Sequence, residues 1–183
     1  MLKRLKSLKR GQIFSAGGFN WLVVEHNQHG TLALMEKCLI DAAFDEENSN
    51  DWRQSSSRRY LNENFLQVLE DNGLADNIIE TEVDLTADDG LKDYGTSVDK
   101  VFLLTADMYR KNRDVIEPPI DDWWWLITPY STSTAGYAHI VRIVSSDGSL
   151  CSHAAYYGHR GLRPALILKS DILVSIERDH ENT

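Results

Sequence analysis

Cys151, His153 and His159 crowd into one short segment, with His139 a little upstream. One thiol and three imidazoles have the composition of a tetrahedral zinc set. Their spacing is not that of a compact zinc knuckle, and strand alternation would have to turn all four to one side, so no zinc is expected. Cys151 and His153 also have the types of a nucleophile and its base. Residues two apart on a strand share a face, but that alone does not set hydrogen-bond geometry. An isolated cysteine on a strand is more often a small apolar filler. The chain has no Gly-rich phosphate loop, no H-E-x-x-H and no G-x-S-x-G. The residues therefore favour a protein that is not an enzyme and needs no cofactor, with a small enzyme using Cys151 or a histidine-bound metal kept as the second alternative.

Glu117, Asp121 and Asp122 bracket Pro118-Pro119 and could offer three carboxylates to calcium, which takes six to eight oxygens. The stretch resembles the carboxylate- and proline-containing loop of C-type lectins but lacks the asparagine that follows proline there. Acidic turns before strands are usually just solvated, and no metal is expected.

A stronger signal is aromatic. Trp123-Trp124-Trp125 opens a segment in which, up to Lys169, the only acidic residue is Asp147, although the chain's formal net charge is -9. Rings beside guanidinium groups suit binding surfaces, because they bury much area and lose few rotors. Tyr130, Tyr137, Tyr156, Tyr157, His159 and Arg160 are expected at or near one exposed patch, while Trp124 and Leu126, which share a face by alternation, are expected in the core. The function this implies is a non-catalytic binding module that recognises a protein or glycan through its C-terminal loops. The first alternative is a phage-encoded effector whose acidic middle binds a basic host protein.

The 183 residues suit one domain with its own core. Residues 1–10 are basic and residues 11–183 form the expected domain, the leader docking loosely. Between Glu36 and Asp122, acidic residues outnumber basic ones more than two to one. That argues against a nucleic-acid footprint, which needs a basic stripe. No apolar run approaches a membrane span, and no apolar stretch follows the basic start as in a signal peptide. Two cysteines are too few for a disulfide framework. The implied location is cytoplasmic, with association to a virion as the alternative.

Short strands are predicted at 12–15, 21–26, 31–36 and 38–43, separated by Gly and Asn turns. Ser55-Ser56-Ser57 offers a helix cap, Leu61, Phe65, Val68 and Leu69 recur at helical spacing, and Asn72-Gly73 ends the helix. Further strands are predicted at 78–85, 101–104, 123–127, 138–144, 150–154, 163–168 and 172–176, with a hairpin at Asp147-Gly148. Runs of strands around one main helix, without a βαβ rhythm, point to an α+β fold.

Four ordered segments carry a resemblance: WRQSSSRRYLNENF (Trp52 to Phe65), DKVFLL (Asp99 to Leu104), WWLITP (Trp124 to Pro129) and GLRPAL (Gly161 to Leu166). Together they resemble an uncharacterised domain family of Gram-positive bacteria and their phages, whose third motif reads W-W-L-R-S-P-G; Ile127 and Tyr130 depart from it here. The family is in turn distantly similar to C-type-lectin-like and formylglycine-generating-enzyme domains. The fold this implies is C-type-lectin-like: mostly antiparallel strands, one main helix and long loops. The thiol pair of the enzymatic branch is missing, since Cys38 and Cys151 lie far apart. Arg58, Asn62 and Arg163 resemble family positions that hold the framework together.

Overall fold

A computed structural model describes residues 1–116 and 122–176. Its strands begin with β1 (Leu2–Arg4), β2 (Ile13–Ala16), β3 (Phe19–His26), β4 (Thr31–Met35) and β5 (Ile40–Asp41). A continuous helical stretch follows: α1 (Ser56–Arg59), a π-helical segment (Tyr60–Phe65) and α2 (Leu66–Asp71). The middle holds β6 (Ile78–Ile79), β7 (Thr81–Asp84), β8 (Thr96–Asp99) and α3 (Ala106–Lys111). The last third contributes β9 (Trp124–Pro129), β10 (Ile140–Val144), β11 (Leu150–Ala154), β12 (Gly161–Leu162), β13 (Ala165–Leu168) and β14 (Leu173–Ser175).

Seven strands form one sheet in the order β1-β14-β2-β3-β4-β13-β6, five form a second in the order β11-β10-β9-β12-β5, and β7-β8 is a separate hairpin. All these pairings are antiparallel except β12 with β9. Pro164 separates β12 from β13, so the two halves of the GLRPAL segment serve different sheets and tie them together. The apolar residues of β4, β9 and β13 are buried on both faces, which places the core between and around these strands.

The helical stretch is set by its cap and by one side chain. Ser55 Oγ accepts the Arg58 N–H at 3.1 Å, the usual N-cap bond. Leu61, Phe65 and Leu69 face inward and are buried, and Phe65 meets Phe19 edge-on at 5.2 Å. Asn62 then locks the helix to the following segment, donating to Val101 O at 2.8 Å and accepting from Val101 N–H at 3.1 Å. Arg58 Nε reaches Asp99 Oδ1 at 2.8 Å, and Trp52 Nε1 donates to Asp99 Oδ2 at 2.9 Å. Arg58 and Asn62 thus act as framework.

The expected α+β, C-type-lectin-like class is corrected by this architecture. The molecule is mostly β-sheet, curled as an antiparallel half-barrel, and helices make up 20% of it. The helical spacing after Ser55 marks a real helix, but its 16 residues are too few to form a layer against the sheets. Two strand expectations and the one for the leader also change. The run 78–85 breaks at Glu80 into β6 and β7, which belong to different sheets. The apolar run 101–104 forms no strand among the described residues: it makes the isolated bridge Phe102 to Ala165, and Leu104 O accepts the Ile127 N–H at 2.9 Å. The basic residues 1–10 are integrated, with β1 paired to β14 and Leu5 and Leu8 buried. Leucines three apart put an apolar edge on that segment, and burying it outweighs the fraying expected of a terminus.

Candidate functional site

The three tryptophans divide as strand geometry dictates, with one addition. Trp124 and Trp125 point to opposite faces of β9, yet both are buried, because a second layer covers each face. Trp124 meets Tyr109 edge-on at 5.7 Å and carries the Arg163 guanidinium over its ring at 4.9 Å. Trp125 Nε1 donates to Ala42 O at 2.9 Å, and its ring packs on Phe44. Leu126 is also buried, and only Trp123 stays exposed. Arg163 spends its donors on backbone, with Nε to Met35 O at 2.8 Å and Nη2 to Glu36 O at 3.0 Å. Burial lowers its pKa to about 10, which leaves it charged at neutral pH.

Beyond β9 the chain makes a loop, 130–139, whose shape is held from inside by Asn50. That side chain is fully buried, and Nδ2 faces Ser131 O, Tyr137 O and Ile140 O at 2.8, 2.7 and 2.9 Å. Two N–H groups serve three carbonyls, so one bond is shared. The Asn50 backbone N–H adds a bond to Ala138 O at 2.8 Å. Thr132 and Thr134 donate to Asp93 and hold that carboxyl below its usual value. The next loop, 155–160, is tied down by the same segment of chain: Asp45 N–H to Ala155 O, Asn48 Oδ1 from Tyr156 N–H, and Ala42 N–H to Arg160 O.

The six expected binding residues fall into two groups on these loops. Tyr130 and Tyr137 pair edge-to-face at 5.5 Å and are 42% and 48% exposed. Tyr157, His159 and Arg160 belong to a chain of stacked groups. The His153 ring lies 4.2 Å from Tyr157, His159 lies 5.6 Å from Tyr157, and Arg160 sits between Tyr157 at 4.7 Å and Trp123 at 4.9 Å. Tyr156, 58% exposed, follows the end of β11. Register puts Tyr130, Tyr137 and Tyr156 at one end of the second sheet, because Pro129 pairs with Val141 and Ile140 with Ala154. The stack instead crosses toward Trp123 at the other end of β9. Two buried nitrogens in it, His153 Nδ1 and Arg160 Nε, have no hydrogen-bond partner among the described residues.

Among the described residues, no group of three or more His, Cys, Asp and Glu side chains is arranged to hold a metal ion. Cys151 lies on β11 with Ser149 Oγ 4.0 Å from its sulfur, while His153 stacks on Tyr157. Cys38 is far from both in the fold; it packs against Gly161 beside Asp122. Burial, then the charge and hydrogen bond of Asp122, push its thiol well above the usual value. Asp122 Oδ1 also accepts the Trp123 N–H. Glu117 and Asp121, the other expected calcium carboxylates, lie outside the described residues.

The sequence matches the family described as Domain of unknown function (DUF6273) over residues 29–170. The chain belongs to that family. No catalytic family is indicated, and neither a curated protein nor a solved structure matches. All the loops and stacks above lie inside the span of this family's match.

Reading the sequence missed two features. Asn50 is the loop's anchor, and nothing in its polar, irregular surroundings marked it. The other is a cleft of about 560 Å³ between the 84–92 loop, α3 and the β3–β4 end, with Leu32, Ile167 and Met108 among its apolar lining. Of the carboxylates around it, Asp88 is met by Arg110 and Arg142, Asp107 by Arg110 and Glu25 by Lys111. Glu82 and Asp84 have no cationic partner among the described residues. The acidic bias of the middle segment hinted at such a surface. No helix among the described residues is long and apolar enough to cross a membrane.

Proposed function

We propose that this domain is a non-catalytic binding module that recognises a protein or glycan through its C-terminal aromatic loops. The observation that carries this reading is the Asn50 anchor beneath the exposed Tyr130–Tyr137 pair. A buried amide that satisfies three loop carbonyls holds the loop in one shape, so its rings are presented without an ordering cost on binding. Rigid aromatic anchors beside adaptable polar groups are what recognition surfaces use, and Trp123, Tyr156, His159 and Arg160 extend the set. Loops on a rigid scaffold are also where function usually resides. The test is a glycan array and a lysate pull-down, each run with wild type and with Tyr130→Ala/Tyr137→Ala. A ligand held by wild type and lost by the variant, at unchanged melting temperature, supports the reading. A ligand held equally by both overturns it.

The acidic cleft favours a second reading, in which a phage-encoded effector engages a basic host protein. Glu82 and Asp84 are two unneutralised carboxylates on one face of β7, beside an apolar floor that suits the stem of a lysine or arginine. Such binding would weaken steeply with salt and would be lost in Glu82→Gln/Asp84→Asn.

A further inference from the structure

Exposed sheet edges offer unpaired N–H and C=O groups to any passing strand, and proteins ordinarily blunt them with charge, proline, bulges or brevity. Most edges here follow that rule. β1 carries Lys3 and Arg4, β5 and β6 are two residues each, and the β7–β8 hairpin carries Glu82, Asp84 and Asp99. β11 does not. It runs Leu150-Cys151-Ser152-His153-Ala154 at the edge of the five-stranded sheet, with no Lys, Arg, Asp, Glu or Pro, and pairs with β10 without a bulge.

Its free groups can be named. Ser149 O accepts from Ser145 N–H, and Ala155 N–H donates to His139 O, so the odd-numbered residues turn toward β10. Leu150, Ser152 and Ala154 therefore turn their N–H and C=O groups outward. Only Ala154 O among them has a backbone partner among the described residues, the Tyr157 N–H at 3.1 Å.

We propose that β11 is a self-association edge, pairing antiparallel with β11 of a second copy about a two-fold axis at Ser152. In that register Leu150 of each copy opposes Ala154 of the other, and the outward groups of one strand meet those of its twin. The flanks also complement each other. Tyr156, in the turn that follows the strand, comes to the end of the edge where the second copy places its 145–149 turn, whose exposed Asp147 carboxylate can accept from a phenol. Each copy thus offers an exposed ring at one end of the edge and a turn with an acceptor at the other, which is the self-complementarity an isologous contact requires. A foreign strand finds no charge on β11 to select it.

The contact is small. Five residues of edge bury well under the roughly 1,200 Å² of a stable interface, so the dimer is weak and forms only at high concentration. Each copy carries a formal charge of -9, so screening by salt strengthens it. The pairing uses Tyr156, which the ligand reading also includes, but not the Tyr130–Tyr137 pair that carries that reading, so the Tyr130→Ala/Tyr137→Ala variant should leave the dimer intact.

Sedimentation equilibrium of the full chain, from about 10 μM to about 1 mM, tests it. The expected result is a monomer–dimer equilibrium that tightens as sodium chloride is raised. Ser152→Pro removes an outward N–H and leaves the backbone bonds to β10 in place, losing only the Arg142 Nη1 bond to Ser152 Oγ, and Ala154→Lys adds a charge to the edge; each should weaken the dimer at least tenfold. Hydrogen exchange on wild type reads the same contact without mutation: the amides of Leu150, Ser152 and Ala154 should gain protection as concentration rises. A chain that stays monomeric throughout overturns the proposal. So does a dimer that survives Ala154→Lys, or one in which those three amides gain no protection.

Discussion

Tyr94 donates its hydroxyl proton to Asn50 Oδ1 at 2.7 Å, and both side chains are buried. That bond decides which way the Asn50 amide points. With Oδ1 occupied by a donor, Nδ2 must face the three carbonyls of the 131–140 loop, the only arrangement that leaves no like groups opposed. Burial raises the Tyr94 phenol pKa, so the proton stays in place to be donated. A residue on the polar 45–51 stretch thereby sets the conformation of a loop far along the chain.

Asn50→Ala should be among the most damaging single changes in the molecule. It strands the Tyr94 hydroxyl and the carbonyls of Ser131 and Tyr137, while Ile140 O keeps the Tyr130 N–H at 2.9 Å. Each unsatisfied buried group costs about 1 to 3 kcal/mol, and relaxation of the loop recovers part, leaving a loss of about 3 kcal/mol. Urea denaturation of the variant measures it. A loss below about 1 kcal/mol would mean that the loop holds its shape without the anchor.

Tyr130→Ala/Tyr137→Ala should weaken ligand binding by about 1 to 3 kcal/mol with little change in stability, since both rings are largely outside the core. Melting temperature and affinity are measured on the same preparation. If the double variant unfolds, the rings are structural. If affinity is unchanged, the ligand sits elsewhere, and the acidic cleft becomes the place to look.

Periodicity made the local pieces legible. Leu61, Phe65 and Leu69 lie where helical spacing puts them, and Trp124 and Leu126 are core as strand alternation implies. The fold class was not legible, because it depends on which strands pair. Ala165 to Leu168 reads as one more apolar run, yet β13 joins β4 to the edge strand β6 of the larger sheet. Trp125 shows why burial on the second face was missed: its partner is Ala42 O, contributed by a segment far back in the chain. The spread of the six expected binding residues into two groups has the same origin, since the 155–160 loop crosses the sheet toward Trp123 rather than staying at the Tyr130 end.

Cys38 should resist alkylation. Its thiol is pushed up by burial and by the neighbouring Asp122 carboxylate, so almost no thiolate exists at pH 8. Iodoacetamide treatment at that pH, followed by peptide mass mapping, should leave Cys38 unmodified in the folded protein and modify it in guanidinium chloride. Rapid native labelling would show that the segment around Lys37 to Leu39 opens readily.

The Asp147 turn should set an acid limit on the β10–β11 hairpin. Gly148, with φ at 81°, lets the chain reverse there, and the Asp147 carboxylate accepts from the Ser145 hydroxyl, the Ser149 N–H and the Ser149 hydroxyl. Those donors lower its pKa from 3.8 to about 2. A carboxylate whose folded pKa is depressed adds stability that is fully present above its unfolded pKa and fades as the pH falls through the folded one. The contribution should therefore be intact above about pH 4, decline between 3.8 and about 2, and be absent below. Asp147→Asn removes the charge at every pH, so wild type and variant should differ in melting temperature near neutrality and converge as the pH approaches 2. The group is exposed and the difference is correspondingly small, so the shape of the pH dependence decides the matter. Two curves that run parallel from pH 6 to pH 2 would mean that the serine bonds do not favour the ionised form.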